Sequence, residues 1–182
     1  MSSIKERAAL VEKAAEKMNK GVSHPENLVK NAASRMELQK ESPKLATLEE
    51  AIRRSGLKDG MTISFHHHFR GGDKVVNLVV AKLAEMGFKN LHLAASSLSD
   101  VHAPLIQHIE NGVITKISTS GLRGELANRI SRGLMEEPVV FRSHGGRGSA
   151  IAAGDLHIDV AFLGASSSDP LGNACGYSRS EN

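Results

Sequence analysis

The chain has 182 residues, 40% hydrophobic and 24% charged, with a formal charge of +3 when its nine histidines are counted neutral. That is enough apolar content for one ordinary domain plus an extension, and the charges are interleaved rather than gathered into a polyanion-binding tail. The lone Cys175 excludes an intrachain disulfide framework. One tyrosine, five phenylalanines and no tryptophan leave few platforms for stacking bases, so nucleic acid is not an expected partner.

No apolar run approaches the roughly 20 residues that cross a bilayer. Met1 to Glu6 opens a charged helix where a secretory leader needs an apolar one, so the expectation is a cytoplasmic protein with no membrane partner. Ile4, Ala8, Val11, Ala15 and Met18 recur at alternating steps of four and three, with Lys and Glu on the remaining faces. The stripe is thin and alanine-rich, suited to docking on its own domain or on a partner subunit rather than on lipid. Ser23 and Pro25 start a second helical stretch that runs to Leu38, and Glu41-Ser42-Pro43 breaks it. Residues 1–44 are therefore read as a helical arm and residues 45–182 as an α/β domain.

From Thr47 onward helical patterns alternate with short β-branched or apolar runs. Five runs read as strands: Met61 to Phe65, Asn90 to Ala95, Val113 to Thr119, Pro138 to Arg142 and Asp159 to Gly164. Asp73 to Met86 predicts a helix with Asp73 as its cap, a buried face of Val75, Val76, Val79, Val80 and Leu83, and Gly87 just past its end. Further helices are expected over Val101 to Glu110, over Arg123 to Gly133, and after Gly148. This alternation implies a mainly parallel sheet covered by helices, with the loop after each strand at one common edge, where open α/β sheets bind ligands.

Two of those loops are rich in glycine and basic residues: Phe65-His66-His67-His68-Phe69-Arg70-Gly71-Gly72-Asp73 and Ser143-His144-Gly145-Gly146-Arg147-Gly148. Glycines let a backbone approach a ligand closely, and the free N–H groups of a following helix attract negative charge. Arg70 and Arg147 can each grip a carboxylate at two points, and Arg123 is a third candidate. The histidine run leaves three readings open: a metal site, acid–base or hydrogen-bonding work on a substrate, or buried packing. Successive side chains of an extended segment face opposite ways, and no Cys, Asp or Glu stands within the run to complete a ligand set, so no metal is assigned. Gly-x-Gly-x-x-Gly, Walker A and Gly-x-Ser-x-Gly patterns do not occur. Any acyl transfer is thus expected to rest on fixed donors for an oxyanion rather than on a serine nucleophile.

Gly60-Met61-Thr62-Ile63-Ser64 running into the Phe65–Asp73 loop resembles the alpha subunit of bacterial citrate lyase. So, in order, do Leu48 to Ile52, Ala94-Ala95-Ser96-Ser97-Leu98, His102-Ala103-Pro104-Leu105, Thr119 to Gly124, Ser143 to Arg147 and Ile158 to Leu163. The resemblance covers residues 48–177. It implies a coenzyme A transferase-like α/β fold and a transferase that exchanges acetate for citrate on an acyl-carrier thioester, for cleavage to oxaloacetate and acetate by the beta subunit. The implied partners are citrate, the beta subunit and the acyl carrier (gamma) subunit of an oligomeric complex. No covalently bound cofactor is implied, since the carrier's phosphoribosyl-dephospho-coenzyme A arm, or a coenzyme A thioester, enters as substrate.

On that reading Arg70, Gly71 and Gly72 meet the oxyanion and thioester, and His67 or His68 donates hydrogen bonds. Ser143, His144, Gly145, Gly146 and Arg147, with Arg123, meet citrate carboxylates, and Asn173 is counted among the substrate-binding residues. Family members run to roughly three times this length as two similar domains of ordinary size. Ser178 to Asn182 leaves the family pattern, so the domain is expected to be truncated at its C-terminal end. Two other functions stay in view: a noncatalytic assembly or binding fragment of such a complex, and a coenzyme A transferase for another carboxylic acid.

Overall fold

The computed structural model describes residues 46–66 and 74–165, and the backbone of 167–168 and 174–175. All of these fall within one compact unit, Pro43–Asn182; the expected helical arm of residues 1–44 lies outside the described residues.

Helix α1 (Leu48–Ser55) starts where Thr47 accepts a hydrogen bond from the Glu50 N–H at 3.2 Å. Strands β1 (Thr62–His66), β2 (Leu91–Ala95), β3 (Ile114–Thr119), β4 (Val140–Phe141) and β5 (Val160–Leu163) form one sheet in the order β4-β3-β2-β1-β5, every pair parallel. Helices α2 (Val75–Glu85), α3 (Leu105–Glu110), α4 (Gly124–Ser131) and α5 (His144–Ala153) lie between successive strands. The expected parallel, helix-covered architecture is what forms. One addition is a short antiparallel ladder between β6 (Ser167–Ser168) and β7 (Ala174–Cys175).

Period-two alternation divides the sheet into two unlike faces. Ile63 and Phe65, Leu91, Leu93 and Ala95, and Ile114 and Ile117 are buried with Val76, Val79, Val80 and Leu83 of α2, Leu105 and Ile109 of α3, and Leu126 of α4. This is the main core. The opposite face is polar or small, and Ala94 there belongs to a separate small cluster with Ala150 of α5 and Leu156. Phe65 and Phe162 stack at 5.4 Å between ring centres, locking β5 beside β1. Asp159 reinforces that pairing: its carboxylate accepts from the Thr62 N–H at 2.8 Å and its own N–H donates to the Thr62 carbonyl at 3.0 Å.

Three local expectations change. The helix expected from Asp73 begins at Val75, with Lys74 at the cap position and no side-chain cap bond. The helix expected over Val101 to Glu110 divides into a 3-10 turn, Asp100–His102, and α3, because Pro104 has no N–H to carry a helix through and sits instead at the start of the next. The loop expected at Ser143–Gly148 is helical from His144, because Ser143 caps it.

The loops after β2 and β3 are stitched together. Leu98 N–H donates to the Gly121 carbonyl at 2.8 Å, Arg123 N–H to the Leu98 carbonyl at 3.1 Å, and the Ser120 hydroxyl to the Ser96 carbonyl. Gly124 closes this seam at φ +71°, where a Cβ would stand 1.9 Å from Asp100 Oδ1. Gly154, at φ +87°, has open space around it. Gly124→Ala and Gly154→Ala both incur the left-handed penalty of about 1–2 kcal/mol, but only the first meets a wall. The urea midpoint should therefore fall further for Gly124→Ala, and Asp100→Ala in that background should recover part of the difference. Equal midpoints for the two glycine variants would contradict this packing.

Candidate functional site

The chain moves steadily from β1 to β4 and then returns to place β5 on the far side of β1. The order therefore reverses between β1 and β5, the kind of position at which neighbouring loops diverge and leave a crevice. Strand β1 ends here at His66. Of the residues expected to act from the loop that follows it, His67, His68, Arg70, Gly71 and Gly72 lie outside the described residues, as does Asn173.

The polar face of the sheet carries Thr62 and Ser64 on β1, His92 and Ala94 on β2, and Lys116 and Ser118 on β3, in a register offset by a bulge after Leu91. A hydrogen-bonded chain crosses these strands: Thr62 Oγ1 lies 3.4 Å from His92 Nδ1, and His92 Nε2 lies 2.9 Å from Ser118 Oγ. Burial pushes the His92 pKa down, and Lys116, Arg142 and Arg147 push the same way against an opposing Glu137. The ring is accordingly held neutral, with one nitrogen donating and the other accepting.

Helix α5 lies against this face. Ser143 accepts from the Gly146 N–H at 3.0 Å and so caps the helix, while its own O–H proton is not used in that bond. A Cβ on Gly146 would meet the Ser143 hydroxyl oxygen at 3.0 Å, whereas Gly145 faces open space. Gly146 thus suits the cap, and Gly145 leaves the first turn open to approach. His144 begins the helix and is exposed.

Arg147, one turn in, reaches beneath the helix: its Nη2 donates to Ser64 Oγ at 2.8 Å and to the Ala94 carbonyl at 3.2 Å. Burial lowers its pKa, yet guanidinium basicity is high enough that it remains a cation. A shallow recess opens beside it, lined by Ser118, Thr119, Arg142, Arg147 and Leu156. The Arg142 N–H donates to the Thr119 carbonyl at 3.0 Å, holding that residue at the rim. Among the described residues no acid pairs with Arg142 or Arg147, whereas Lys116 is matched by Glu137 at 3.0 Å. The result is a local excess of positive charge over a partly dry sheet face.

Arg123 does not line this recess. It is exposed at the entry to α4, on the seam between the β2 and β3 loops. Sequence reasoning missed Ser118, Arg142 and His92. Their signal was present as polar residues within β2 and β3 and just past β4, but joining them needs the β2–β3 register. No cluster of three or more His, Cys, Asp or Glu placed to hold a metal occurs among the described residues.

The sequence model of the citrate lyase alpha subunit (CitF) matches residues 42–182. The chain belongs to the citrate lyase alpha subunit family. It is 67% identical over 132 residues to the citrate lyase alpha chain of Escherichia coli K12, a match that covers 72% of this chain and 26% of that one. With the Haemophilus influenzae alpha chain it shares 67% identity over 135 residues, covering 74% and 27%. A solved structure described as the putative alpha subunit of citrate lyase from Streptococcus mutans, in complex with citrate, superposes with a TM-score of 0.73 at 57% identity, covering 75% of this chain and 27% of that one. The fold is thus the α/β, coenzyme A transferase-like one of the citrate lyase alpha subunit. The chain spans about a quarter of the length of the curated relatives it matches.

Two measurements check the site. Ser143→Ala should cost about 1 kcal/mol of stability, and Ser143→Asp, which also caps, should restore it; unchanged denaturation of the alanine variant would remove the capping role. For His92, the folded pKa lies below the unfolded value of about 6.5. Its contribution to stability is therefore complete above that pH and is lost as pH falls toward the folded pKa. The His92 ring resonances should titrate with a midpoint below about 6.5, and a midpoint at or above it would contradict the neutral, buried ring.

Proposed function

We propose that this chain supplies the citrate-side half of a thioester exchange: citrate plus an acetyl thioester of the acyl carrier, or of coenzyme A, gives citryl thioester plus acetate. The observation that carries the proposal is the anchored Arg147 guanidinium beside Arg142 on a polar sheet face, with no acid to balance either among the described residues. Such a surface suits a polycarboxylate. The family's name supports the same substrate, as does the citrate bound in the Streptococcus mutans structure.

No serine elbow is present, so the substrate carboxylate itself is the nucleophile. One citrate carboxylate oxygen adds to the acetyl carbonyl, the carrier thiolate leaves, and a mixed anhydride forms. The thiolate then adds to the citryl carbonyl, acetate leaves, and the thioester is restored with no net consumption of protons. Each addition creates a tetrahedral oxyanion, stabilised by donors already aimed at it. We assign that task to the Arg70-Gly71-Gly72 loop with His67 or His68, on the motif that carries the family resemblance. Arg147, Gly145 and Gly146, with Asn173, His144 and Arg123 as outer contacts, we assign to the substrate carboxylates.

The same reading gives the chain a cytoplasmic location and a place in an oligomeric complex with beta and acyl-carrier subunits, in which residues 1–44 serve as a docking arm. No helix among the described residues is long and apolar enough to cross a membrane. The second reading is a noncatalytic assembly or binding fragment of such a complex.

The test is to incubate the chain with citrate and acetyl-coenzyme A, with and without the other lyase subunits, and follow citryl thioester by mass spectrometry. Arg70→Ala and Arg147→Gln should each lower turnover by about a hundredfold or more, with circular dichroism reporting whether α5 stays docked. Normal turnover in both folded variants would refute the residue assignment. No product from wild-type chain in any mixture would favour the assembly reading.

A further inference from the structure

We propose that Asn111, in the turn between α3 and β3, is a site of spontaneous deamidation and isoaspartate formation, and that the Lys89 ammonium promotes the reaction. This covalent modification needs water alone as co-reactant and is independent of the thioester exchange proposed above.

The residue that follows Asn111 is the first reason. Asn111 is the one asparagine in the chain with glycine after it, and it is exposed. The attacking group is the Gly112 backbone nitrogen and the attacked one is the Asn111 side-chain amide carbon. Gly112 brings no side chain to that approach, and the space where its Cβ would stand is open. The other asparagines among the described residues precede Leu78, Leu91 and Arg129, whose side chains crowd the same approach. Asn77 is held further by its bond to the Val101 carbonyl at 2.7 Å.

Lys89 is the second. Its Nζ donates to the Asn111 carbonyl at 2.8 Å. That carbonyl and the Gly112 N–H belong to a single conjugated peptide unit. A cation on the oxygen therefore favours loss of the proton from the nitrogen, the step that makes the nitrogen nucleophilic. The four-carbon lysine stem is flexible and can follow the carbonyl as the turn moves.

Movement is required. In the folded turn Asn111 has ψ 2° and the Gly112 N–H donates to the Ile109 carbonyl at 2.9 Å. That bond must break and ψ must swing the nitrogen round to the Cβ side, which asks only the end of a six-residue helix to fray. The nitrogen, its proton taken by hydroxide, then adds to the side-chain carbon. The amide C–N bond breaks, ammonia leaves with a proton from water, and a succinimide ring remains. Water opens the ring at either carbonyl, giving aspartate or isoaspartate at position 111.

The product alters the start of the β2–β3 pairing. The Gly112 and Val113 carbonyls accept from the Asn90 and Leu91 N–H groups, both at 2.9 Å. Isoaspartate adds a main-chain atom just before these bonds, and the new carboxylate lies at a helix C-terminus beside Glu110. This is the opposite end of the strands from the loops that follow them, so the modification weakens the fold rather than the candidate site.

The test is to incubate the 182-residue chain at mildly alkaline pH, folded and in urea, and to follow deamidation residue by residue by mass spectrometry after proteolysis. In the folded chain Asn111 should react faster than Asn77, Asn90 and Asn128, with isoaspartate among the products. Lys89→Gln should slow the folded reaction about fivefold, the factor expected for a unit charge near hydrogen-bond distance in water. Lys89→Arg, which can still donate, should keep the wild-type rate, and in urea all three chains should react alike. The aged wild-type chain should show a lower urea midpoint, and aged Asn111→Gln should not. Three results would overturn the proposal: folded Asn111 reacting no faster than the other three asparagines, folded Lys89→Gln reacting at or above the wild-type rate, or the same slowing by Lys89→Gln in urea.

Discussion

The guanidinium of Arg147 joins three elements that are distant in sequence. It projects from the first turns of α5, passes beneath the helix and donates to Ser64 on β1 and to the Ala94 carbonyl on β2. The apolar cluster that holds α5 to this face is small, comprising Ala94, Ala150 and Leu156. Polar anchoring therefore matters more here than on the opposite face, where four helices bury large aliphatic side chains. The contrast has a functional consequence: a face left polar and lightly covered can receive a polar ligand without dismantling the core.

The two faces also explain why the sheet tolerates so much charge. Leu83, Leu91, Leu93, Leu105 and Ile117 are essentially inaccessible to water and supply the bulk of the hydrophobic stabilisation on one side. On the other side, Thr62, His92 and Ser118 satisfy one another across three strands. That arrangement keeps three polar groups from becoming a desolvation cost and holds the histidine neutral among cations. The large aliphatic core and the polar, positively charged groups thus lie on opposite faces of one sheet.

Parallel topology imposes the remaining constraint. Every strand delivers its following loop to one edge, and the return of β5 to the side of β1 opens a divergence there. The seam between the β2 and β3 loops, closed by Gly124 against Asp100, tidies the middle of that edge and takes Arg123 with it. The recess beneath α5 is tied to β1 through Ser64, which lies on that strand and meets Arg147.

Much of this was legible in the residues alone. The five strands, their parallel order of succession and the α2 packing face follow from period-two and period-3.6 patterns, because burial on one side of an element writes itself directly into its sequence. The long motifs were specific enough to carry the family resemblance. What the pattern did not contain was the consequence of contacts between distant segments. Ser143 reads in the sequence as a ligand-binding hydroxyl, and its additional role as a helix cap shows only in the Gly146 N–H at 3.0 Å. Arg123 and Arg147 look alike as arginines beside glycines, and tertiary packing half-buries Arg147 while leaving Arg123 exposed. His92, Ser118 and Arg142 are well separated along the chain, on and beside three neighbouring strands, and their approach depends on a register shifted by one bulge. Local sequence determines which residues face inward; the register and the path of α5 decide which of them meet, because those depend on hydrogen bonds formed only once the sheet has assembled.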